Sequence, residues 1–306
     1  MNFNTSSLRS ERQWRSATGM DEEQFELLAE LYTKTHQEKY QNTWAEHLPL
    51  SPEFHCIKNE RELLLFTLFS LRTNLVYDNL GLVVGMSPSN AYKTQQFGLG
   101  ILQSTLQKYD VLPRREFANT DDFKEFMTQN SLSCLLIDAT EQRIQRPQNR
   151  EVQKEYYSGK KKAHTVKTLV MTTEEGWLCY VSPSEPGKCH DFALMKKKFS
   201  PEQPWFESIS LRADLGFLGL DQQYLCEEVI LPNKKSKNHP LSEEQKEENR
   251  DHAAHRVVVE HGIGGMKRYR VLSDRLRIHS IEIYNKILGI CAGLWNFHLK
   301  FSAQVT

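Results

Sequence analysis

The stretch Cys134-Leu-Leu-Ile-Asp138 places an acid directly after a short, continuous apolar run. A run of this length without a helical period is typical of a strand buried in the centre of a sheet. Residues 164–173 and 177–183 predict two further strands, with Glu175-Gly176 as the tight turn between them. The sequence therefore predicts a sheet that begins at this stretch, with Asp138 just past its first strand.

The elements downstream of this hairpin alternate between helix and strand. Ser242 has Gln245 three positions later, the capping-box pattern of a helix start. We predict a helix at residues 191–199, strands at 209–213 and 228–232, a long helix from 242, and a last helix over 281–301. A hairpin followed by alternating elements predicts an α/β fold, with a mixed five-stranded sheet and helices on both of its faces.

Upstream of the sheet, the sequence predicts helices only. Residues 17–38 have a helical apolar stripe with Thr18 as the cap, and residues 60–72 are rich in strong helix formers. We divide the chain into an N-terminal helical segment at 1–52, a second helical domain at 53–115 and the α/β domain at 130–301.

The second helical domain contains a candidate DNA-binding motif. Residues 77–84 predict a helix, Gly85-Met86 a turn, and Ser87-Pro88 the cap and first residue of the next helix. Two helices joined by such a turn are the helix-turn-helix pattern, although a plain αα-hairpin produces the same signal. In the helix-turn-helix interpretation the second helix meets DNA through Ser87, Ser89, Asn90 and Lys93.

The overall charge gives no general attraction to nucleic acid, because 39 Lys and Arg residues balance 39 Asp and Glu residues. The local distribution is uneven. Basic residues with interleaved aromatics are concentrated at Arg143, Arg146, Arg150, Lys154, Tyr156, Tyr157, Lys160, Lys161, Lys162 and Lys167, and a second cluster includes Lys267 and Arg268. Such segments suit phosphate contacts and base stacking, and a solvated surface is the alternative.

Three acids stand where sequence elements can bring them together. Asp138 and Asp214 each follow a predicted strand, and Glu260 lies on the long helix. Converging carboxylates repel one another unless a cation neutralises them, and oxygen ligands select Mg²⁺ or Mn²⁺. Two such ions form the clamp for phosphodiester displacement. Taken singly, each aspartate is equally explained as a loop or capping residue, and Glu260 as a surface partner of Arg256.

Several blocks resemble one family, the bacterial insertion-sequence transposases of the DDE superfamily, in the branch related to PIF/Harbinger elements. The blocks are Leu136-Ile-Asp-Ala-Thr-Glu-Gln-Arg143, Tyr156-Tyr-Ser-Gly-Lys-Lys-Lys162, Ser184-Glu-Pro-Gly-Lys-Cys-His-Asp191, Ala213-Asp-Leu-Gly-Phe217 and Val259-Glu-His261. The resemblance implies an RNase H-like catalytic domain with Asp138, Asp214 and Glu260 as a triad that binds two Mg²⁺ or Mn²⁺ ions. It also implies cutting at the terminal inverted repeats of an element and joining of the freed 3′-hydroxyl to target DNA.

Partners and location follow from the same resemblance. We expect double-stranded DNA as substrate, a homodimer on DNA because two element ends must be paired, no membrane association, and a cytoplasmic, chromosome-associated bacterial protein. Two alternatives stay open: a catalytically silent DNA-binding protein derived from a transposase, and a stand-alone RNase H-like nuclease that hydrolyses without joining.

Glycines beside Glu260 set this sequence apart from the family pattern. Gly262, Gly264 and Gly265 fall where the family has a helix, and each costs a helix about 1 kcal/mol relative to Ala. They predict either a bend or end of the helix, or close packing against the sheet.

Overall fold

A computed structural model describes residues 3–235, 240–277 and 280–302. The chain forms two compact units. The first contains residues 1–112 with 267–274 and 296–306, and the second contains residues 113–266 with 275–295.

The first unit is helical. Its helices within residues 1–112 are α1 (Glu11–Thr18), α2 (Glu22–Tyr40), α3 (Trp44–His47), α4 (Glu60–Thr73), α5 (Tyr77–Val84) and α6 (Pro88–Lys108). The helix predicted over 17–38 is present as α2, but its predicted start and its cap at Thr18 were wrong. Thr18 ends α1, Gly19 turns the chain with a φ of +85°, and Asp21 caps α2 by accepting a hydrogen bond from Gln24 N at 3.0 Å.

The predicted boundaries of α5 and α6 are confirmed. Gly85 ends α5 with a φ of +85°, a left-handed conformation that glycine adopts without steric cost. Ser87 then caps α6, accepting a hydrogen bond from Asn90 N at 3.2 Å, and Pro88 occupies its first turn. A short turn therefore joins these two helices.

The second unit is an α/β unit built on a mixed sheet. Its strands are β1 (Cys134–Arg143), β2 (Tyr157–Ser158), β3 (Ala163–Thr172), β4 (Leu178–Val181), β5 (Glu185–Pro186), β6 (Ser210–Ala213) and β7 (Glu228–Ile230). The order along the sheet is β2-β3-β1-β6-β7. β1 is antiparallel to β3 and parallel to β6, which is parallel to β7, whereas β4 and β5 pair with β3.

The mixed sheet was predicted correctly, but its strand count was not. Among the described residues the sheet has seven strands rather than five. The two additional strands, β2 and β5, are two residues long each. A segment of that length cannot show the alternation by which a strand is identified from sequence.

Helices of the second unit cover both faces of the sheet. They are α7 (Thr120–Gln129), α8 (Arg150–Tyr156), α9 (Asp191–Lys198), α10 (Leu220–Gln223) and α11 (Glu243–Lys267), and α12 (Ile281–Ser302) begins in this unit. Leu135 and Ile137 point into an apolar core shared with α7 and α9. Because side chains alternate along a strand, Leu136 and Asp138 point to the opposite face.

α11 lies over that opposite face. Gly262 meets Leu178 and Thr172 of the sheet, and His252 lies 3.0 Å from the carbonyl oxygen of Ala213. The helix runs unbroken through Gly262, Gly264 and Gly265 to Lys267. Of the two outcomes left open by the sequence, close packing is the one observed at Gly262. Within the described residues, no helix is long and apolar enough to cross a membrane.

Candidate active site

Asp138 and Asp214 lie side by side on neighbouring parallel strands. Ile137 of β1 pairs with Ala213 of β6, and each aspartate is the next residue along its strand direction. Neighbouring strands are about 4.8 Å apart, so the two carboxylates start from adjacent backbone positions. The sequence prediction that the two aspartates converge if their strands are neighbours is met by this register.

Both carboxylates are held by local hydrogen bonds. Asp138 Oδ1 accepts from Ala139 N at 2.7 Å, and Asp214 Oδ1 accepts from Gly216 N at 2.7 Å. The pKa of Asp138 is raised to about 6, mainly by burial and with smaller contributions from the negative charges of Asp214 and Asp191, while the Ala139 hydrogen bond acts against the rise. The ionised form of Asp138 is therefore disfavoured, because little water solvates it and other negative charges lie nearby.

A third aspartate, Asp191, is the first residue of α9 and lies beside Asp214. A Cβ atom built on Gly216 would lie 2.8 Å from Asp214 Oδ1 and 3.0 Å from Asp191 Oδ2. The carboxylates of Asp214 and Asp191 therefore lie on either side of a small cradle at Gly216, which a single methyl group would fill. His190 is the N-cap residue of α9, but its side chain makes no capping hydrogen bond.

Lys167 of β3 holds Asp191 in place. Its Nζ lies 2.7 Å from Asp191 Oδ1 and 3.6 Å from Glu141 Oε1, and it donates to the Cys189 carbonyl oxygen at 2.7 Å. Lys167 is only 5% exposed. We predicted a DNA contact for this lysine; in the structure its side chain is buried in an ion-paired network.

Glu260 lies on α11 but is not gathered with the two aspartates. Its side chain is 53% exposed and accepts a hydrogen bond from Arg256 Nη2 at 2.8 Å. Arg256 also acts electrostatically on Asp138, lowering its pKa. Over the described parts of the chain, no group of three or more His, Cys, Asp or Glu side chains is placed to hold a metal ion.

The predicted DNA-contacting residues lie mostly on the surface. Ser87, Ser89 and Lys93 are exposed at the start of α6, and Asn90 is half-buried there. Exposed residues of the basic segment are Arg143, Arg146, Arg150, Lys154, Tyr157, Lys160, Lys161 and Lys162, while Tyr156, Lys267 and Arg268 are half-buried. Lys154 pairs with Glu151 at 2.8 Å, a solvated pair that leaves the lysine available to a phosphate.

Comparison with known proteins identifies the family. The family model for DDE superfamily endonucleases matches residues 137–296, which include both aspartates and Glu260. A probable transposase for insertion sequence element IS702 from Microchaete diplosiphon is 30% identical over 230 residues, covering 74% of this chain and 76% of that protein. The chain belongs to the DDE-superfamily insertion-sequence transposases. No solved structure matches it significantly.

DDE-superfamily endonucleases depend on divalent metal ions, and the donor set here suits such an ion. Asp138 and Asp214 offer carboxylate oxygens, which Mg²⁺ and Mn²⁺ prefer. The raised pKa of Asp138 and the open cradle at Gly216 both indicate a place where a cation would be stabilised. The two aspartates therefore fit a divalent ion. Glu260 also offers carboxylate oxygens that suit such an ion, but its side chain is paired with Arg256.

Sequence reasoning did not place Asp191 and Lys167 near the two aspartates. Asp191 is the first residue of α9, a position where an acid is common for reasons unrelated to a site. Lys167 stands in a run of otherwise surface lysines and arginines. The burial of Lys167 could have been predicted from the alternation of side chains along β3. That alternation puts Lys167 on the same face as the buried Leu169 and Met171.

Proposed function

We propose that this chain is a DNA transposase that binds the terminal inverted repeats of its element, cuts at the element ends and transfers the 3′-hydroxyl to target DNA. The observation that carries the proposal is the placement of Asp138 and Asp214 on adjacent parallel strands within the segment that matches the DDE endonucleases. The mixed sheet around them is compatible with the RNase H-like domain that the family resemblance implies.

The proposed catalytic residues are Asp138, Asp214 and Glu260. When bound, two divalent ions would activate the attacking oxygen and stabilise the leaving oxygen of a phosphodiester. Asp138 and Asp214 would hold the ions from the sheet, and Glu260 would join them from α11 after releasing Arg256. Asp191 and Lys167 are positioning residues, because their ion pair fixes the wall opposite Asp214.

DNA recognition is proposed for both units. α5 and α6 would form a helix-turn-helix, with Ser87, Ser89, Asn90 and Lys93 presented to DNA from the start of α6. The exposed basic segment between β1 and β3 would contact phosphates near the carboxylates, and Tyr157 is 44% exposed and available for stacking.

The direct test incubates purified protein with a labelled duplex that carries the terminal repeat flanking its own gene. Parallel reactions contain Mg²⁺, Mn²⁺ or EDTA, and the variants are Asp138→Asn, Asp214→Asn and Glu260→Gln. Asp221→Asn is the matched control, because Asp221 is an exposed aspartate on α10. We expect metal-dependent cutting at the repeat boundary and joined products from the wild type and the control only.

Other outcomes separate the alternatives. Binding of the repeat without cutting in any metal would indicate a silent DNA-binding protein, which the Arg256–Glu260 pair favours as the second candidate. Hydrolysed ends without joined products would indicate a stand-alone nuclease. Cutting and joining by Glu260→Gln at the wild-type rate would remove Glu260 from the proposed triad.

We also propose a homodimer on DNA, because two element ends must be held together before joining. Light scattering of the protein with two repeat-bearing duplexes should give a mass that corresponds to two protomers. One protomer per paired-end complex would contradict this proposal.

A further inference from the structure

Arginines dominate a cleft in the first unit. It consists of two adjoining recesses, of about 600 and 400 Å³, that share Arg15 and Arg72. α1 contributes Arg12 and Arg15, the last turn of α4 contributes Arg72, and Arg268 follows α11. We call this set of four arginines the arginine cleft.

Two of these side chains are fixed by backbone carbonyl groups. Arg72 Nε donates to the carbonyl oxygen of Arg15 at 3.3 Å, and Arg72 Nη1 donates to that of Arg268. Arg268 Nη1 donates to the carbonyl oxygen of Gly19 at 3.1 Å. These bonds anchor the Arg72 and Arg268 guanidinium groups to the backbone at the end of α1 and just after α11. Anchoring removes part of the conformational entropy that binding a ligand would otherwise cost.

The cleft holds more positive than negative charge. Its lining includes two carboxylates, Glu11 and Asp21. Glu11 pairs with Arg15 at 3.1 Å in a solvated contact, and Asp21 is engaged in capping α2. The pKa of Arg268 is lowered by burial first, and then by the nearby charges of Arg72 and Arg15. Like charges held this close favour the binding of an anion.

We propose that the arginine cleft binds backbone phosphates of duplex DNA. The planar guanidinium fork suits phosphate oxygens, and four forks in one cleft suit successive phosphates of a strand. Arg72 lies in the last turn of α4, five residues before α5 begins at Tyr77, in the same unit as the α5–α6 helix pair. A phosphate contact there would fix the register of that pair on the duplex without reading sequence. The inference rests on the proposed function, since it takes DNA as the partner.

The test measures DNA affinity rather than cutting. Fluorescence anisotropy of a short labelled duplex of arbitrary sequence, in EDTA, is followed over a range of salt concentrations with the full chain. The cleft variant is Arg12→Gln/Arg15→Gln, since both side chains are exposed and neither donates to a helix-end carbonyl. The matched control is Arg9→Gln/Lys34→Gln, which removes two exposed positive charges of the same unit outside the cleft.

We expect the cleft variant to bind roughly tenfold more weakly, with the slope of log affinity against log salt reduced by about 2. The control should keep the wild-type slope, and Arg12→Lys/Arg15→Lys should recover most of it. Wild-type affinity and slope in the cleft variant would overturn the inference and leave the proposed function intact. Polyglutamate serves as a second probe: binding that depends on Arg12 and Arg15 for polyglutamate but not for DNA would assign the cleft to an acidic protein segment and overturn the proposal.

Failure of the proposed function gives a different pattern. Salt-dependent DNA binding that needs the arginine cleft, together with no cutting of the repeat duplex in any metal, would contradict the transposase activity and support the cleft. A wild-type chain that does not bind the duplex at any salt concentration would overturn both.

Discussion

Burial of Asp138 disfavours its ionised carboxylate, which is the form that would bind a metal ion. The pKa of this carboxyl is raised from 3.8 to about 6, because the side chain is desolvated and lies in the field of two other aspartates, Asp214 and Asp191. Without metal, the unfolded chain loses this proton first as the pH rises from about 4 to 6, so the folded state is progressively destabilised over that window. Above pH 6 the penalty is constant, and it amounts to at most about 3 kcal/mol.

Asp138→Asn removes this penalty together with the charge. In EDTA above pH 6, we expect the variant to unfold at higher urea concentration than the wild type, by up to about 3 kcal/mol in the free energy of unfolding. The difference should shrink toward zero below about pH 3, where both states of the wild type carry the proton. Asp221→Asn should show no such trend. An advantage that is independent of pH would mean that the effect of Asp138 is not electrostatic.

Lys167 shows the reverse arrangement, in which a buried cation is required by its neighbours. Lys167→Met would leave Asp191 and Glu141 buried without their cation, which should cost roughly 3–5 kcal/mol of stability. Lys160→Met removes an exposed lysine and should stay within about 0.5 kcal/mol. Urea denaturation of the two variants at neutral pH makes the comparison. Equal stability of the two would show that the network contributes nothing to the fold.

At the scale of the element, the packing of α11 accounts for Gly265 but not for Gly264, two of the glycines beside Glu260. A Cβ atom on Gly265 would lie 2.1 Å from Cε3 of Trp295, a side chain whose Nε1 donates to the Gly176 carbonyl oxygen at 2.9 Å. A Cβ atom on Gly264 would meet nothing within 4 Å. One helix therefore contains a glycine that its packing requires and one that it does not.

This difference predicts opposite effects for the same substitution one residue apart. Gly264→Ala should stabilise the protein by up to about 1 kcal/mol, since alanine is the better helix former. Gly265→Ala should destabilise it by roughly 1–3 kcal/mol, because α11 or the Trp295 ring must move. Thermal unfolding followed by circular dichroism resolves the two shifts. Destabilisation by both changes would mean that Gly264 has a role that helix propensity does not describe.

Elements of this kind could be predicted from sequence wherever the signal was local. The cap at Ser87 and the capping box at Ser242, where Gln245 N donates to Ser242 Oγ at 3.1 Å, are short-range patterns that the structure confirms. β1 extends to Arg143, although its polar second half gave no strand pattern, because pairing with β3 supplies the hydrogen bonds. The approach of Asp191 to Asp214 depends on how α9 packs, which no local pattern contains.

At the scale of the whole molecule, balanced charge conceals uneven distribution. The chain has zero formal net charge, yet exposed lysines and arginines are concentrated between β1 and β3, and arginines line a cleft in the first unit. The electrostatic attraction to DNA therefore depends on local patches, whose field is screened within about 10 Å at ordinary salt. Composition alone could not have indicated a nucleic-acid partner here.

The first unit also depends on two segments from the C-terminal part of the chain. Residues 267–274 and 296–302 return to this unit, and they bring Tyr269, Leu272 and Phe297, each at most 2% exposed. The Tyr269 ring would lie 3.0 Å from a Cβ atom on Gly19, and Asn296 Nδ2 donates to the Val111 carbonyl oxygen at 3.0 Å. A contiguous fragment of residues 1–112 lacks all of these contacts.

We therefore expect the isolated fragment 1–112 to keep much of its helix content but to lose cooperative unfolding. Each large apolar side chain removed from a core costs about 2–5 kcal/mol, and three such losses exceed half of the stability of a typical domain. Urea titration followed by far-ultraviolet circular dichroism should give a broad transition, and the fragment should bind a hydrophobic dye that the full chain does not. A steep transition without dye binding would show that α1–α6 form a self-sufficient core. DNA-binding measurements on the α5–α6 pair should accordingly use the full chain, where residues 267–274 and 296–302 complete the unit that presents it.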